Sequence, residues 1–118
     1  MRFLALIMGN EDDWRALSEA ELGDAGARIG AWYGLHAAAG RIVDGGRLTE
    51  KADARTIQLG RAGKSGDPSV TSGPHSSGDM SIGSYVLIEA PSLDEAIEVA
   101  AGWPGGGAIE LRPLADMA

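Results

Sequence analysis

Residues 80–102 read Met80-Ser81-Ile82-Gly83-Ser84-Tyr85-Val86-Leu87-Ile88-Glu89-Ala90-Pro91-Ser92-Leu93-Asp94-Glu95-Ala96-Ile97-Glu98-Val99-Ala100-Ala101-Gly102, and midway their apolar period changes from two to about 3.6. Met80 to Ala90 alternates as a long strand, with Ile82, Ser84, Val86 and Ile88 on one face and Tyr85, Leu87 and Glu89 on the other. Both faces carry apolar residues, so both are expected to be at least partly covered. Ser92 with Glu95 then makes a capping box, and Leu93, Ala96, Ile97 and Ala100 turn one side of a helix toward the sheet until Gly102 and Pro104 end it.

The rest of the chain supplies partners for this unit. Phe3 to Met8 is apolar on both faces, which suits a central strand with helices on one side and a second apolar cover on the other. Asn10 caps a short turn through Trp14. Ser18 with Glu21 opens a long helix that Gly40 stops, and Leu22, Ala25, Ile29, Trp32, His36 and Ala39 share one face of it. Strands are expected over 41–48, with Gly45-Gly46 marking a bulge or close approach, and over 54–59. Residues 60–67 read as a polar hairpin tip, 69–71 as a short returning strand and 108–112 as the closing strand. The order strand, helix, hairpin strands, long strand, helix, strand predicts one α+β domain over 1–118: a ferredoxin-like βαββαβ unit with an antiparallel sheet and two helices on one face. The opposite face needs a cover that one copy lacks. Two copies facing each other across a two-fold axis would supply it, so a homodimer is expected.

Composition narrows the partners. The chain has 118 residues and a formal net charge of -7, with its basic residues scattered, so neither nucleic acid nor an anionic membrane surface is an expected partner. With no cysteine, disulfides, thiolate metal sites and redox thiol chemistry are excluded, and a cytosolic setting is the simplest. The apolar opening breaks at Gly9-Asn10-Glu11-Asp12-Asp13 and reads as a strand rather than a signal peptide.

The residues resemble those of the YCII-related family, and within it the DGPF branch. Gly9, Glu11 and Trp14 follow the first strand, Gly45-Gly46 the second, and Thr71-Ser72-Gly73-Pro74-His75 stands where the branch has Thr-Asp-Gly-Pro-Phe. Ile82-Gly83-Ser84-Tyr85, Leu93-Asp94-Glu95-Ala96 and Glu110-Leu111-Arg112-Pro113 follow in order. The resemblance implies a dimeric α/β barrel with a pocket between the sheet and the first long helix. Related proteins carry a His-Asp pair thought to be catalytic, its histidine about three turns before the helix's terminal glycine. Counting back from Gly40 gives Ile29 or Gly30, so that pair does not carry over. In the signature loop Ser72 replaces aspartate and His75 replaces phenylalanine, while the Gly-Pro turn stays.

His75 is the sharpest candidate for chemistry, because imidazole titrates near neutral pH and the Gly73-Pro74 turn would fix its angle. Asp79 would orient the ring; the plainer alternative is a solvated loop histidine beside a surface carboxylate. His36 is expected to point toward the sheet, as a core histidine bonded to a backbone carbonyl or as an acid and base partner of His75. Trp32, Tyr33 and Tyr85 would line an aromatic wall, and Ser72, Ser76 and Ser77 would offer hydroxyls. Arg47 or Arg55 would hold an anionic group. The histidines with Asp79 or Asp44 lack any short metal-ligand spacing, so no metal and no cofactor is expected. Ala62-Gly63-Lys64-Ser65 imitates part of a phosphate loop, but Gln58 stands where that motif needs glycine and the segment reads as a hairpin tip.

Two functions follow as expectations. One is a small cofactor-free enzyme, with His75 moving a proton in an elimination, isomerisation or cyclisation. The other is a non-catalytic small-molecule-binding or regulatory module, which the resemblance links to extracytoplasmic-function sigma factors.

Overall fold

Alternation along the first strand, β1 (Arg2–Gly9), drives Phe3, Ala5 and Ile7 into the core and leaves Leu4, Leu6 and Met8 half-buried on the other side. The computed structural model describes residues 1–76 and 78–115. After β1 come α1 (Glu11–Arg15), α2 (Glu19–Ala38), β2 (Ile42–Arg47), a 3-10 turn (Lys51–Asp53), β3 (Arg55–Arg61), β4 (Lys64–Ser72), β5 (Ser81–Glu89), α3 (Leu93–Ala101) and β6 (Ala108–Pro113).

Four strands form one sheet in the order β2-β5-β1-β6, with every neighbouring pair antiparallel. This is the ferredoxin-like arrangement: the outer strands β2 and β6 flank the central pair β5 and β1. The β3–β4 hairpin is a separate two-stranded sheet inserted between β2 and β5. Its second strand begins at Lys64, earlier than the 69–71 expected from sequence, because Gly63 at φ +76° lets Ala62-Gly63 close the turn while Arg61 pairs with Lys64.

The helices sit where their caps and stripes place them. Asn10 Oδ1 accepts from the Asp13 backbone N–H to start α1. At α2 the Ser18 hydroxyl accepts from Glu21 N–H while Glu21 Oε1 accepts from Ser18 N–H, closing the capping box. At α3 the Ser92 hydroxyl accepts from Glu95 N–H. Both long helices pack on the same sheet face: Trp32 of α2 with Ala96, Val99 and Ala100 of α3 close over Phe3, Ala5, Val86 and Ile88. The Trp32 indole N–H donates to the Val99 carbonyl at 3.1 Å and so ties the two helices together. Among the described residues no helix is long and apolar enough to cross a membrane.

Among the described residues the sheet's other face has no such cover. Leu4 lies opposite Leu87, Leu6 opposite Tyr85 and Met8 opposite Ile82, and all point away from the helices. The molecule measures 45 × 43 × 18 Å. An 18 Å thickness leaves room for the sheet and one layer of helices, since a helix with its side chains is about 10–12 Å across.

Candidate functional site

The loop after β4 ends beside α1 and the 3-10 turn, and an open groove of about 410 Å³ lies between them. Gly73, at φ +96°, donates its N–H to Ala54 O, while the Thr56 hydroxyl donates to Gly73 O at 2.9 Å. Gly73, the first residue of the Gly73-Pro74 turn, is therefore bonded through both its N–H and its carbonyl to the base of the hairpin. Ser72, Ser76 and Ser81 line the groove together with Glu11, Arg15, Lys51 and Met80.

The groove's charged groups are already partly engaged. Glu11 Oε2 accepts from the Lys51 backbone N–H at 2.7 Å, which joins α1 to the 3-10 turn across the chain. Arg15 reaches Glu50 at 3.3 Å, Asp12 at 3.0 Å and Glu11 at 3.5 Å. Those carboxylates, Glu50 foremost, hold its guanidinium still more firmly charged than an ordinary arginine. The Lys51 ammonium has no carboxylate within salt-bridge range among the described residues. Three hydroxyls, a cation without an ion pair and a carboxylate fixed by a backbone N–H suit a small polar molecule that both donates and accepts hydrogen bonds.

The residues singled out from the sequence fall into three separate places. Ser72 and Ser76 are in the groove; Ser77 lies outside the described residues. His75, exposed, sits between the groove-lining Pro74 and Ser76, with its Nδ1 3.4 Å from Gln58 Nε2 on β3. Among the described residues its ring makes no hydrogen bond to Asp79, so the orienting pair expected from their spacing is not formed.

His36, Trp32 and Tyr33 occupy the helix side of the sheet. The His36 ring meets Trp32 edge to face at 5.3 Å, and Trp32 meets Tyr33 at 5.1 Å and Trp103 at 5.3 Å in the same way. These rings pack against the core on the side of the sheet that α2 and α3 cover. His36 Nδ1 lies 3.3 Å from the Arg41 guanidinium, and since arginine only donates, that nitrogen accepts and the proton of the neutral ring is on Nε2. Burial first, and then the Arg41 charge, lowers the His36 pKa below its ordinary 6.5. Burial raises the Tyr33 pKa, partly offset by the neighbouring Ser84 side chain. Among the described residues His36 and His75 share no hydrogen-bonding partner, the first meeting Arg41 and the second Gln58.

Tyr85 lies on the opposite face of the sheet, across from Leu6 and Gly46. A Cβ at Gly46 would stand 3.0 Å from Tyr85 Cε1, so the second glycine of Gly45-Gly46 is what lets the ring lie on β2. The aromatic wall expected from Trp32, Tyr33 and Tyr85 is thus divided by the sheet itself. Arg47 is exposed on β2 opposite Ser84. Arg55 donates to Ala52 O and Ala54 O and braces its own loop, and Asp44 accepts from Gly45 N–H.

Glu11, Lys51 and Ser81 were not singled out from the sequence. Glu11 alone left a signal there, as the acidic residue after the first strand; the other two enter only because the 3-10 turn and the start of β5 fold against the loop. A second groove, of about 350 Å³, runs between α3 and β6 and is lined largely by Ile97, Trp103, Ile109 and Leu111. Among the described residues no three His, Asp or Glu side chains gather as metal ligands.

In comparison with known proteins, the family model described as YCII-related domain matches residues 1–118. No curated protein matches the chain significantly.

Proposed function

Because this chain belongs to the YCII-related domain family, we propose that it is a homodimeric small-molecule-binding domain of the DGPF branch whose site is the groove at the Gly73-Pro74 turn. One observation carries the reading: the segment that resembles the branch signature, with its altered Ser72 and His75, forms one wall of a groove lined by three serines, Glu11 and Lys51. Dimerisation is supported by the sheet face that carries Leu4, Leu6, Met8, Tyr85 and Leu87, over which the described residues lay no second layer. A second copy laid on that face buries it at both molecules at once.

The ligand that this lining suits is a small organic molecule with a carboxylate for Lys51 and hydroxyl or amide groups for the serines. Titration of the labelled protein with a panel of small hydroxy and amino acids, followed by amide NMR, tests it. Shifts clustered at Ser72, Ser76, Ser81 and Lys51 are expected, with Lys51→Ala and Ser72→Ala each weakening binding by about threefold to thirtyfold, the loss of one hydrogen bond or more. Shifts confined to the α3–β6 groove, or none with any member of the panel, would reject this site.

A cofactor-free enzyme is the second reading, favoured by the place of His75 between two groove-lining residues. An exposed imidazole there could turn toward a ligand and move its proton in an elimination, isomerisation or cyclisation. His75→Ala would then abolish turnover of a bound compound while leaving its affinity nearly unchanged; equal turnover in the variant removes His75 from the chemistry. A sigma-factor gene beside this one would favour a regulatory role for the same groove.

A further inference from the structure

We propose that the β3–β4 hairpin is an arm that clasps a second copy of the chain, its apolar face lying on that copy's acidic body; the inference rests on the dimer of the preceding reading. The ladder makes the hairpin two-faced. Ile57 lies opposite Val70, Leu59 follows two residues on at the point where the register shifts, and these three are 57%, 63% and 53% exposed in the order Ile57, Val70, Leu59. On the other side Thr56 faces Thr71 and Gln58 faces Ser69, and this polar side bonds back to its own loop through Thr56 to Gly73 and Gln58 to His75. The polar face is therefore spoken for within the chain, and the apolar face is turned away from it.

The arm also projects. Among the described residues it shares no ladder with the main sheet and packs little on the helices. A compact domain of 118 residues has a radius of gyration of about 13.5 Å, against 16.5 Å here. An isolated two-stranded hairpin is marginal in water, so a long one with three exposed large apolar side chains is stabilised by what it packs on.

Charge identifies that partner. The hairpin holds Arg55, Arg61 and Lys64 against Asp67 alone, a surplus of two positive charges in a chain of net charge -7, so the remainder carries nine negative ones. A basic arm on an acidic body is complementary to another copy of the same chain, and in a two-fold pair each arm meets the other body reciprocally. An anionic membrane fits the arm's residues but is repelled by the body behind it.

Sedimentation equilibrium on the full chain tests the arm, using the wild type, Ile57→Thr/Val70→Thr, Arg61→Gln/Lys64→Gln and Leu87→Asp. The threonines keep β-branching and so the strands, while removing apolar surface. The wild type is expected to dimerise, and Ile57→Thr/Val70→Thr to raise the dimer Kd at least about tenfold with unchanged circular dichroism. Arg61→Gln/Lys64→Gln flanks the turn without touching the apolar face, and is expected to weaken the dimer and flatten its dependence on salt. If both arm variants dimerise as the wild type does while Leu87→Asp is monomeric, the arm is wrong and the sheet-face dimer stands. A wild type that stays monomeric at about 100 μM overturns both, and vesicle binding by the arm in that monomer would assign it to a membrane instead.

Discussion

His36 shows how one position on a helix stripe becomes an acid-sensitive point of the core. The residue is 9% exposed, and its ring accepts from Arg41 through Nδ1 and packs against Trp32. A second proton would have to sit on Nδ1, breaking that contact and placing two cations together. Since the folded pKa lies below the ordinary 6.5, the unfolded chain takes up this proton at a higher pH than the folded one. The contribution is complete above pH 6.5 and is lost as the pH falls through the folded value. Urea midpoints at pH 7.5, 6.0 and 5.0 should therefore decline, and His36→Gln should flatten the decline; parallel curves for the two proteins would contradict this. The buried place of His36 was readable from its spacing with Ile29 and Trp32. Its partner Arg41 was not, because that contact depends on how the chain leaves α2. The pairing of His75 with Gln58 was likewise hidden, since it needs the register of the β3–β4 ladder.

Among the elements, the capped helices follow most directly from local chemistry. Ser18 and Glu21 satisfy each other's backbone N–H groups, and these bonds from Ser18 hold the Glu21 carboxyl below the usual carboxylate range. Ser18→Ala removes the acceptor for Glu21 N–H and should cost about 1 kcal/mol in urea unfolding, with the loss shrinking as acid protonates Glu21. No change at neutral pH would mean that α2 is held by packing alone. The hairpin was harder to read because its residues 60–67 are polar and glycine-rich, which signals a loop; backbone pairing of Arg61 with Lys64 makes it strand instead. Near the other end of the chain, Gly107 at φ +81° passes so close to the Met8 carbonyl that a Cβ there would collide with it. Only the pairing of β1 with β6 brings these two residues together.

For the whole molecule, an 18 Å thickness and a half-apolar open sheet face predict an assembly rather than a lone plate. Small-angle scattering should give a mass near twice 12.2 kDa and a smallest dimension well beyond 18 Å, whereas a 12.2 kDa particle with the radius of gyration of one chain would refute it. Periodicity, capping boxes and turn glycines determine the element order, the helix ends and which strand faces carry apolar residues, because each depends on atoms a few residues apart. They also marked the Gly73-Pro74 turn. Bringing Glu11, Lys51 and Ser81 to that turn, placing Tyr85 on the far side of the sheet from Trp32 and detaching the hairpin from the main sheet are decided by strand order and register. Those are contacts between residues distant along the chain, and their geometry is fixed only when the sheet closes.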